Sequence, residues 1–368
     1  MHLYVHVPFC ARRCSYCDFA IAVRREVPSA QFAGLIEREW AGWQNHHAWN
    51  DSPALDTIYF GGGTPSRLEP ASIARMLQVF RADRAVVAGA EVTLEANPDD
   101  VTAANAEAWR AAGINRISLG AQSFDPAVLE WMHRTHDAAQ IDVAVQTLRS
   151  AGFSDVSLDL IYAVPPALGR DWSADLDRAL ALAPTHLSLY GLTVEPATPL
   201  GKWTARGESL SLDDDHAALE YLAAHARLEA AGFEHYEVSN AGRPGHRARH
   251  NSAYWRRAPF IGLGPSAHSG FASLRRWNVR EWTEYRRRAE AGESLMLEQE
   301  TLDRGQVELE DLYLGLRTSD GLPASRVPPV VLDRWRAGGW AVVRDSRVAL
   351  TPEGWLRLDA LVASLSRC

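Results

Sequence analysis

Three cysteines lie close together near the start of the chain, in the string MHLYVHVPFCARRCSYCDFA. They are Cys10, Cys14 and Cys17, and their spacing is C-x3-C-x2-C. Three thiolates on one short loop can bind three irons of a 4Fe-4S cluster, which leaves the fourth iron without a protein ligand. Such an open iron can bind a substrate or a cofactor. The spacing therefore favours an iron–sulfur centre on this loop.

Other interpretations of the three cysteines compete with a cluster. A disulfide framework is disfavoured, because the clustered thiols are odd in number and no signal peptide precedes them. Structural zinc prefers four Cys or His ligands, and His6 is a candidate for the fourth, so a zinc site stays an alternative. A buried group of thiols without metal is less favoured again. The fourth cysteine, Cys368, is at the far end of the sequence.

Length and composition are those of an ordinary soluble globular protein. The 368 residues are 46% hydrophobic and 23% charged, so the chain can bury a large core and we expect one large domain and a smaller one. The formal net charge of -8 argues against bulk binding to nucleic acid or to an anionic membrane. No uncharged apolar run is long enough for membrane insertion. With no signal peptide and with cysteines that must stay reduced, we expect a cytoplasmic location.

Short β-branched runs alternate with longer amphipathic stretches through the first half of the sequence. This pattern predicts strands over residues 3–7, 55–60, 91–95, 114–119, 156–162 and 186–190, and helices over 30–43, 69–80, 103–112, 138–151 and 172–182. Strands that alternate with helices imply a parallel sheet, and six such units predict an α/β fold with a partial (β/α)6 barrel. In such barrels the chemistry lies at the carboxyl ends of the strands.

Unusual polar residues follow the predicted strands, as that rule requires. The first strand runs into the cysteine loop, and the second ends in a triple glycine that lets a ligand approach the backbone closely. A carboxylate taken alone is more often a cap or a surface group, and a lone arginine is more often solvated. The position of the carboxylates at strand ends favours ligand contacts, and the arginine is a cation that can pair with a carboxylate. The residues concerned are Gly61, Gly62, Gly63, Thr64, Glu95, Gln122, Asp159 and Arg134.

The cysteine spacing resembles the signature of the radical SAM superfamily. That resemblance implies that the open iron binds the amino and carboxylate groups of S-adenosylmethionine. Eight strings that occur in a fixed order narrow the resemblance to one family within that superfamily. They are HVPFC, YCDF, GGGTPS, EANP, ISLGAQSF, SLDLIY, YEVSN and HNSAYW. Together they are similar to the family of oxygen-independent coproporphyrinogen III oxidases and HemW-type heme chaperones, from residue 3 to about 317 and more weakly beyond.

The resemblance implies a site that can be assigned residue by residue. The three cysteines would bind the cluster. The S-adenosylmethionine pocket would comprise Tyr4, Tyr16, Gly62, Gly63, Thr64, Glu95, Gln122, Arg134, Asp159 and, beside it, His268.

Two departures favour the heme-chaperone branch. The oxidases have C-x3-C-x2-C-x-C, whereas Asp18 and Phe19 follow Cys17 here. The oxidases also carry an N-terminal arm before the first strand, which this sequence lacks. The leading expectation is a heme chaperone that passes heme to acceptor hemoproteins, membrane-associated ones included. The alternatives are oxidative decarboxylation of coproporphyrinogen III and a radical SAM reaction on another tetrapyrrole or small molecule.

A third feature is the string His250-Asn251-Ser252-Ala253-Tyr254-Trp255, which matches the H-N-x-x-Y-W string associated with HemW-type proteins and heme binding. A histidine can be an axial iron ligand, and aromatic faces can pack on a porphyrin. The heme-binding candidates are His250, Tyr254 and Trp255. Arg247 and Arg249 belong to a local basic run that could hold heme propionates. The competing interpretation is a structural loop with solvated arginines.

The resemblance and the pattern divide the sequence into three regions. Residues 1–200 form the radical SAM core, residues 201–299 a family-specific extension, and residues 300–368 a small winged-helix-like domain. That last fold often binds DNA, but acidic residues alternate with its arginines and no continuous basic helix is present, so we expect a lid or docking role and no nucleic-acid partner. The sequence leaves monomer and dimer open.

Overall fold

The computed structural model describes residues 1–46, 49, 53–208 and 213–365, and Cys368 is outside these ranges. The strands are β1 (His2–Val7), β2 (Phe9–Cys10), β3 (Ala22–Val23), β4 (Ala54–Gly62), β5 (Ala85–Ala96), β6 (Arg116–Gln122), β7 (Asp155–Tyr162), β8 (His186–Gly191), β9 (Glu234–Glu237), β10 (Asn240–Gly242), β11 (Phe260–Leu263), β12 (His268–Phe271), β13 (Leu274–Asn278), β14 (Met296–Thr301), β15 (Leu322–Pro323), β16 (Ala341–Arg344) and β17 (Arg347–Leu350). The helices are α1 (Ser29–Trp43), α2 (Pro70–Asp83), α3 (Ala103–Ala112), α4 (Pro126–Trp131), α5 (Ala138–Ser150), α6 (Trp172–Ala181), α7 (Pro199–Ala205), α8 (Asp214–Ala230), α9 (Arg249–Trp255), α10 (Trp282–Ala291), α11 (Arg304–Leu316), α12 (Pro329–Ala337), α13 (Pro352–Trp355) and α14 (Leu358–Leu365).

Six parallel strands in the order β1-β4-β5-β6-β7-β8 form the centre of a large mixed sheet. Helices connect successive strands, so the α/β fold with its partial (β/α)6 barrel is confirmed. Side chains alternate along each strand because successive Cβ atoms point to opposite faces. In β1, Leu3 and Val5 are fully buried in the apolar core, whereas Tyr4 and His6 are on the opposite, polar face.

Local signals set the ends of the connecting helices. The Thr102 hydroxyl accepts a hydrogen bond from the Asn105 backbone N–H at the start of α3, and Gly113 ends that helix in a left-handed conformation with φ of 96°. At α5, Asp137 and Gln140 form a capping box. These signals are in the sequence, which is why the predicted and observed helices agree closely. Helix α4 was not predicted, because its six residues are too few to show a helical period.

The two edges of the sheet were not predicted. On one side β11 joins β1 in parallel, and β12, β13 and β14 continue the sheet in antiparallel order. On the other side β10 and β9 follow β8, also antiparallel. Residues from 234 to 301 therefore extend both edges of the barrel sheet. Such pairing between distant segments leaves no local pattern in a sequence.

Residues beyond about 304 build a smaller unit with its own apolar core. Helices α11, α12, α13 and α14 surround a three-stranded sheet of order β15-β17-β16. Its buried residues include Leu316, Trp335 and Val348, and Tyr221 of α8 packs into the same cluster. The winged-helix designation and the three domain boundaries stay predictions. Within the described part of the chain, no helix combines the length and apolar character that crossing a bilayer requires.

Candidate cofactor site

A cavity of about 420 Å³ opens where the carboxyl ends of the parallel strands meet. It brings together residues from the cysteine loop and from the ends of β4, β5, β6 and β7. Eleven of the predicted site residues line it: Cys10, Cys14, Tyr16, Cys17, Gly62, Gly63, Thr64, Glu95, Gln122, Arg134 and Asp159. Residues that are more than a hundred positions apart in sequence thus face one space, as expected for a barrel of parallel strands.

The three cysteines are free thiols at this cavity. The Thr64 hydroxyl donates to Cys10 Sγ at 3.4 Å, and the Arg134 guanidinium donates to Cys14 Sγ at 3.6 Å. Burial raises the pKa of the Cys10 thiol, and it raises the pKa of Cys17 to about 11. The Cys10 and Cys17 thiols are therefore protonated at neutral pH in the free protein, and iron binding must release their protons.

These donors fit a polynuclear cluster better than a single ion. Within the described ranges, no three His, Cys, Asp or Glu side chains converge closely enough to hold one metal ion. A 4Fe-4S cube needs no such convergence, because each cysteine binds a different iron. His6, the candidate fourth zinc ligand, has both ring nitrogens within hydrogen-bond distance of protein atoms: Nε2 is 2.9 Å from the Ala20 carbonyl oxygen and Nδ1 is 3.2 Å from the Tyr4 hydroxyl.

The glycines after β4 form a cradle that a larger residue would fill. A Cβ at Gly62 would lie 2.6 Å from the His6 ring, and this glycine has a left-handed φ of 111°. A Cβ at Gly63 would lie 2.8 Å from the Pro8 carbonyl carbon, in the segment that leads into the cysteine loop. Gly62 is required by its left-handed conformation and by the His6 ring, and Gly63 is required because backbone packs against backbone there, which keeps the loop close to the end of β4.

Gly63→Ala is therefore expected to displace the cysteine loop. We expect the variant to lose about 1–3 kcal/mol of unfolding free energy through overpacking and to retain less iron after anaerobic reconstitution. The matched control is Gly42→Ala, in α1, where an added Cβ meets nothing within 4 Å; it should gain about 0.5–1 kcal/mol from helix propensity. Denaturant unfolding and iron analysis measure both. Full iron loading in a stable Gly63→Ala protein would contradict this account of the cradle.

Two buried carboxylates, Glu95 and Asp159, face the cavity. Glu95 accepts hydrogen bonds from the Tyr59 hydroxyl at 2.7 Å and from the Gly62 backbone N–H at 3.0 Å. Burial raises the pKa of Glu95 to about 7 and that of Asp159 to about 6. Among the described residues, no cation lowers the pKa of Glu95 enough to reverse its shift, so a cationic ligand would gain from contact with this carboxylate.

Arg134 supplies the opposite charge on the same cavity. One of its terminal nitrogens donates to the Asn97 side-chain oxygen at 2.7 Å and to the Gly120 carbonyl oxygen at 3.0 Å. Its Nε is buried without a hydrogen-bond partner among the described residues. An unpartnered guanidinium N–H is costly unless a ligand satisfies it. A carboxylate-bearing ligand fits that position.

Gln122 lies at a backbone irregularity. The register between β6 and β7 shifts between Leu119 and Gln122, and Gln122 has a left-handed φ of 69°. A non-glycine residue in this conformation costs free energy that the surrounding structure must offset. The bulge turns the end of β6 towards the cavity, where the Gln122 side chain joins the lining.

Two residues assigned to the S-adenosylmethionine pocket are not in the cavity lining. The Tyr4 ring stacks on Tyr59, with ring centroids 6.0 Å apart, so it forms a second layer behind Glu95. His268 is exposed at the start of β12 and stacks on Trp277 at 5.5 Å. The roles of both residues stay predictions, and the structure brings neither side chain to the cavity surface.

The helix α9 carries the H-N-x-x-Y-W string, and it lies against the polar face of the barrel strands. His250 is 1% exposed. Its Nδ1 is 2.6 Å from the Thr57 hydroxyl and its Nε2 is 2.8 Å from the Tyr254 hydroxyl. In this arrangement neither ring nitrogen is available to an iron. The expected heme-ligand role of His250 thus stays a prediction and requires a different arrangement of α9.

The rest of the string and the basic run are held by neighbouring residues. The Arg317 guanidinium lies over the Trp255 ring at 4.3 Å. Arg247 pairs with Asp320 at 2.9 Å, and Arg249 donates to the Gly89 carbonyl oxygen at 2.6 Å. These arginines are therefore engaged with the protein rather than simply solvated. Their proposed role in holding propionates requires that these contacts open.

The lining residues that were not predicted as site residues include Asn97, Ser118 and Tyr190. Asn97 holds Arg134, and the Ser118 hydroxyl donates to Asp159 at 3.0 Å. Each lies at or near the end of a parallel strand. Their position along the strands is the signal that could have identified them.

Comparisons with known proteins find similar sequences over most of the chain. Residues 4–178 match the family model described as the Radical SAM superfamily. The heme chaperone HemW of Mycobacterium tuberculosis is 37% identical over 374 aligned residues, which cover 99% of this chain and 94% of that protein. The heme chaperone HemW of Escherichia coli is 36% identical over 270 residues, which cover 73% of this chain and 69% of that protein.

A solved structure shows the same fold. The coproporphyrinogen III oxidase HemN from Escherichia coli superposes with a TM-score of 0.80, covering 99% of this chain and 89% of that chain, at 23% sequence identity. At that identity the match shows the fold alone. The relatives named HemW cover most of the chain at 31–37% identity. The chain belongs to the HemW heme chaperone family of the radical SAM superfamily.

Proposed function

We propose that this protein is a cytoplasmic heme chaperone, which binds a 4Fe-4S cluster, S-adenosylmethionine and heme and delivers the heme to hemoproteins. The observation that carries the cofactor half is the meeting of three free cysteines with Glu95 and Arg134 at one cavity. The heme half is supported by the name of the relatives, which match almost the whole chain.

Cys10, Cys14 and Cys17 would hold the cluster, which when bound supplies an iron with an open coordination position. The chain's own residues would hold S-adenosylmethionine against it. Glu95 would accept hydrogen bonds from the amino group, and the Arg134 Nε–H, which is buried without a partner among the described residues, would donate to the carboxylate. The glycine cradle keeps the ligand close to backbone N–H groups.

The heme-binding surface is a separate part of the proposal. His250, Tyr254 and Trp255 remain the candidates that the resemblance indicates, but His250 is buried, and the half-buried Tyr254 and Trp255 contact His250 and Arg317. For heme to bind there, α9 would have to leave the barrel. The acceptor hemoprotein, including any membrane-associated one, is part of the same proposal.

An assay for oxidase activity tests the proposal against its alternative. Cluster-loaded protein is incubated anaerobically with coproporphyrinogen III, S-adenosylmethionine and a reductant, and the porphyrins are separated after oxidation. We expect coproporphyrin alone. A catalytic yield of protoporphyrin, many per chain, would show an oxidase and would contradict the chaperone assignment. A sample without S-adenosylmethionine is the control for non-enzymatic conversion.

A further inference from the structure

We propose that His250 is a positioning residue for the S-adenosylmethionine site: its buried imidazole, held by Thr57 and Tyr254, packs on Tyr59 and so aims Glu95 into the cavity. The inference rests on the cofactor half of the proposed function. It gives the H-N-x-x-Y-W string a role that needs no exposed histidine.

Helix α9 is anchored at its first turn by a buried carboxylate. Glu91, on β5, accepts the backbone N–H of Arg249 at 2.9 Å and that of His250 at 2.9 Å. These N–H groups have no partner within the helix, so the carboxylate caps its first turn. Its negative charge also interacts favourably with the positive end of the helix dipole. The position of His250 is thus fixed by the barrel strand that also carries Glu95, four residues further on.

The imidazole of His250 is fixed at both ends as well. The Thr57 hydroxyl contacts Nδ1 and is itself 2.9 Å from the His2 ring nitrogen, while the Tyr254 hydroxyl contacts Nε2. Burial lowers the pKa of His250 to about 3, so the ring is neutral at physiological pH. A neutral imidazole with two hydroxyl partners is fully satisfied, which gives the ring one defined orientation.

The face of this ring packs on Tyr59. The two ring centroids are 5.0 Å apart with an interplanar angle of 26°. Tyr59 also stacks with Tyr4 at 6.0 Å, and the Tyr4 ring is 6.3 Å from that of His250, so the three rings form one packed cluster. Aromatic packing of this kind restricts where the hydroxyl of Tyr59 can point.

That hydroxyl donates to Glu95 Oε1 at 2.7 Å. The other oxygen of Glu95 accepts the Gly62 backbone N–H, so the carboxylate is held between the stacked tyrosine and the glycine cradle. Glu95 lines the cavity, whereas Tyr59 and His250 do not. His250 thus acts on the ligand only through Tyr59 and Glu95.

The test measures S-adenosylmethionine affinity in cluster-loaded wild type, His250→Ala, Tyr59→Phe and the double variant, by calorimetry under anaerobic conditions. Loss of one oriented hydrogen bond to a charged group predicts about tenfold weaker binding for each single variant. Because both changes act through Glu95, the double variant should bind no more weakly than about the weaker single variant. Tyr59→Phe removes one hydroxyl and keeps the ring, so it tests the pathway even if His250→Ala folds poorly.

Heme titration of the same samples separates this role from the ligand role. A positioning role predicts that His250→Ala and Tyr59→Phe both weaken S-adenosylmethionine binding, and that Tyr59→Phe, which is outside the heme-binding candidates, leaves heme affinity within about twofold of wild type. Unchanged S-adenosylmethionine affinity in Tyr59→Phe, multiplicative effects in the double variant, or a loss confined to heme affinity would each overturn the inference. If cluster-loaded wild type itself binds no S-adenosylmethionine, the cofactor half of the proposed function fails instead.

Discussion

Replacing Cys10, Cys14 and Cys17 together by alanine is expected to abolish the iron–sulfur cluster. Anaerobically reconstituted wild type should contain about four iron and four sulfide per chain, and the triple variant only background amounts. The reason is that these thiols are the free cysteines at the cavity. Iron and acid-labile sulfide analysis, with the visible absorption spectrum, measures the outcome.

Cys368→Ala is the matched control, since it changes the remaining cysteine of the sequence. It should bind the cluster as wild type does. Equal iron content in the triple variant and in wild type would show that the metal binds elsewhere. S-adenosylmethionine binding should disappear together with the cluster, because the open iron would be lost. The polar residues of the pocket are unchanged in the triple variant.

The second large effect concerns Glu95 and pH. Burial raises the pKa of Glu95 to about 7, and proximity to Asp159 adds to the rise. Only the ionised carboxylate accepts hydrogen bonds with both oxygens, so S-adenosylmethionine affinity should fall about tenfold between pH 8 and pH 6. The amino group of the ligand titrates in a similar range in every variant, so the informative quantity is the difference between variants.

Glu95→Gln should bind S-adenosylmethionine more weakly at all pH values, and its affinity should depend less on pH. Glu298→Gln, on exposed β14, should behave as wild type does. A Glu95→Gln profile as steep as that of wild type would show that another group causes the pH dependence. Calorimetry across the pH range provides both profiles.

The same carboxylate has the opposite effect on the stability of the ligand-free protein. Its pKa in the folded protein is above the usual glutamate value of 4.5, so the folded state binds a proton more tightly than the unfolded state does. Protonation of Glu95 therefore stabilises the folded state. This contribution to the free energy of unfolding is fully present below the pKa of the unfolded state and is lost as the pH rises through about 7. A binding site for a cation thus reduces stability at neutral pH while the ligand is absent.

Much of the cavity lining could be predicted from the sequence, because polar residues at the ends of parallel strands follow recognisable strand patterns in the chain. Glu95 and Asp159 both lie in the carboxyl-terminal half of their strands, and strand position can be read from apolar runs and turn residues. Because the strands are parallel, their carboxyl ends all lie at the same edge of the sheet. Eleven residues that were predicted as site residues therefore line one cavity, although the sequence gives no distances between them.

The environment of His250 could not be read in the same way. Its partners Thr57 and Tyr59 are almost two hundred residues away, and they meet it because β11, which follows α9 in the chain, pairs with β1. That pairing adds a strand to the barrel edge by long-range hydrogen bonding, which has no periodic signature. In such a string, the sequence does not distinguish an exposed histidine that binds iron from a buried histidine that packs within the protein.

The most direct test of the chaperone assignment is an anaerobic heme titration of cluster-loaded wild type. The account predicts saturable binding at about one heme per chain, as expected for a specific site. Non-saturating binding, of the kind that exposed apolar surface gives, would contradict the assignment. In that case the protein would be a radical SAM protein of the same fold with another cargo or substrate.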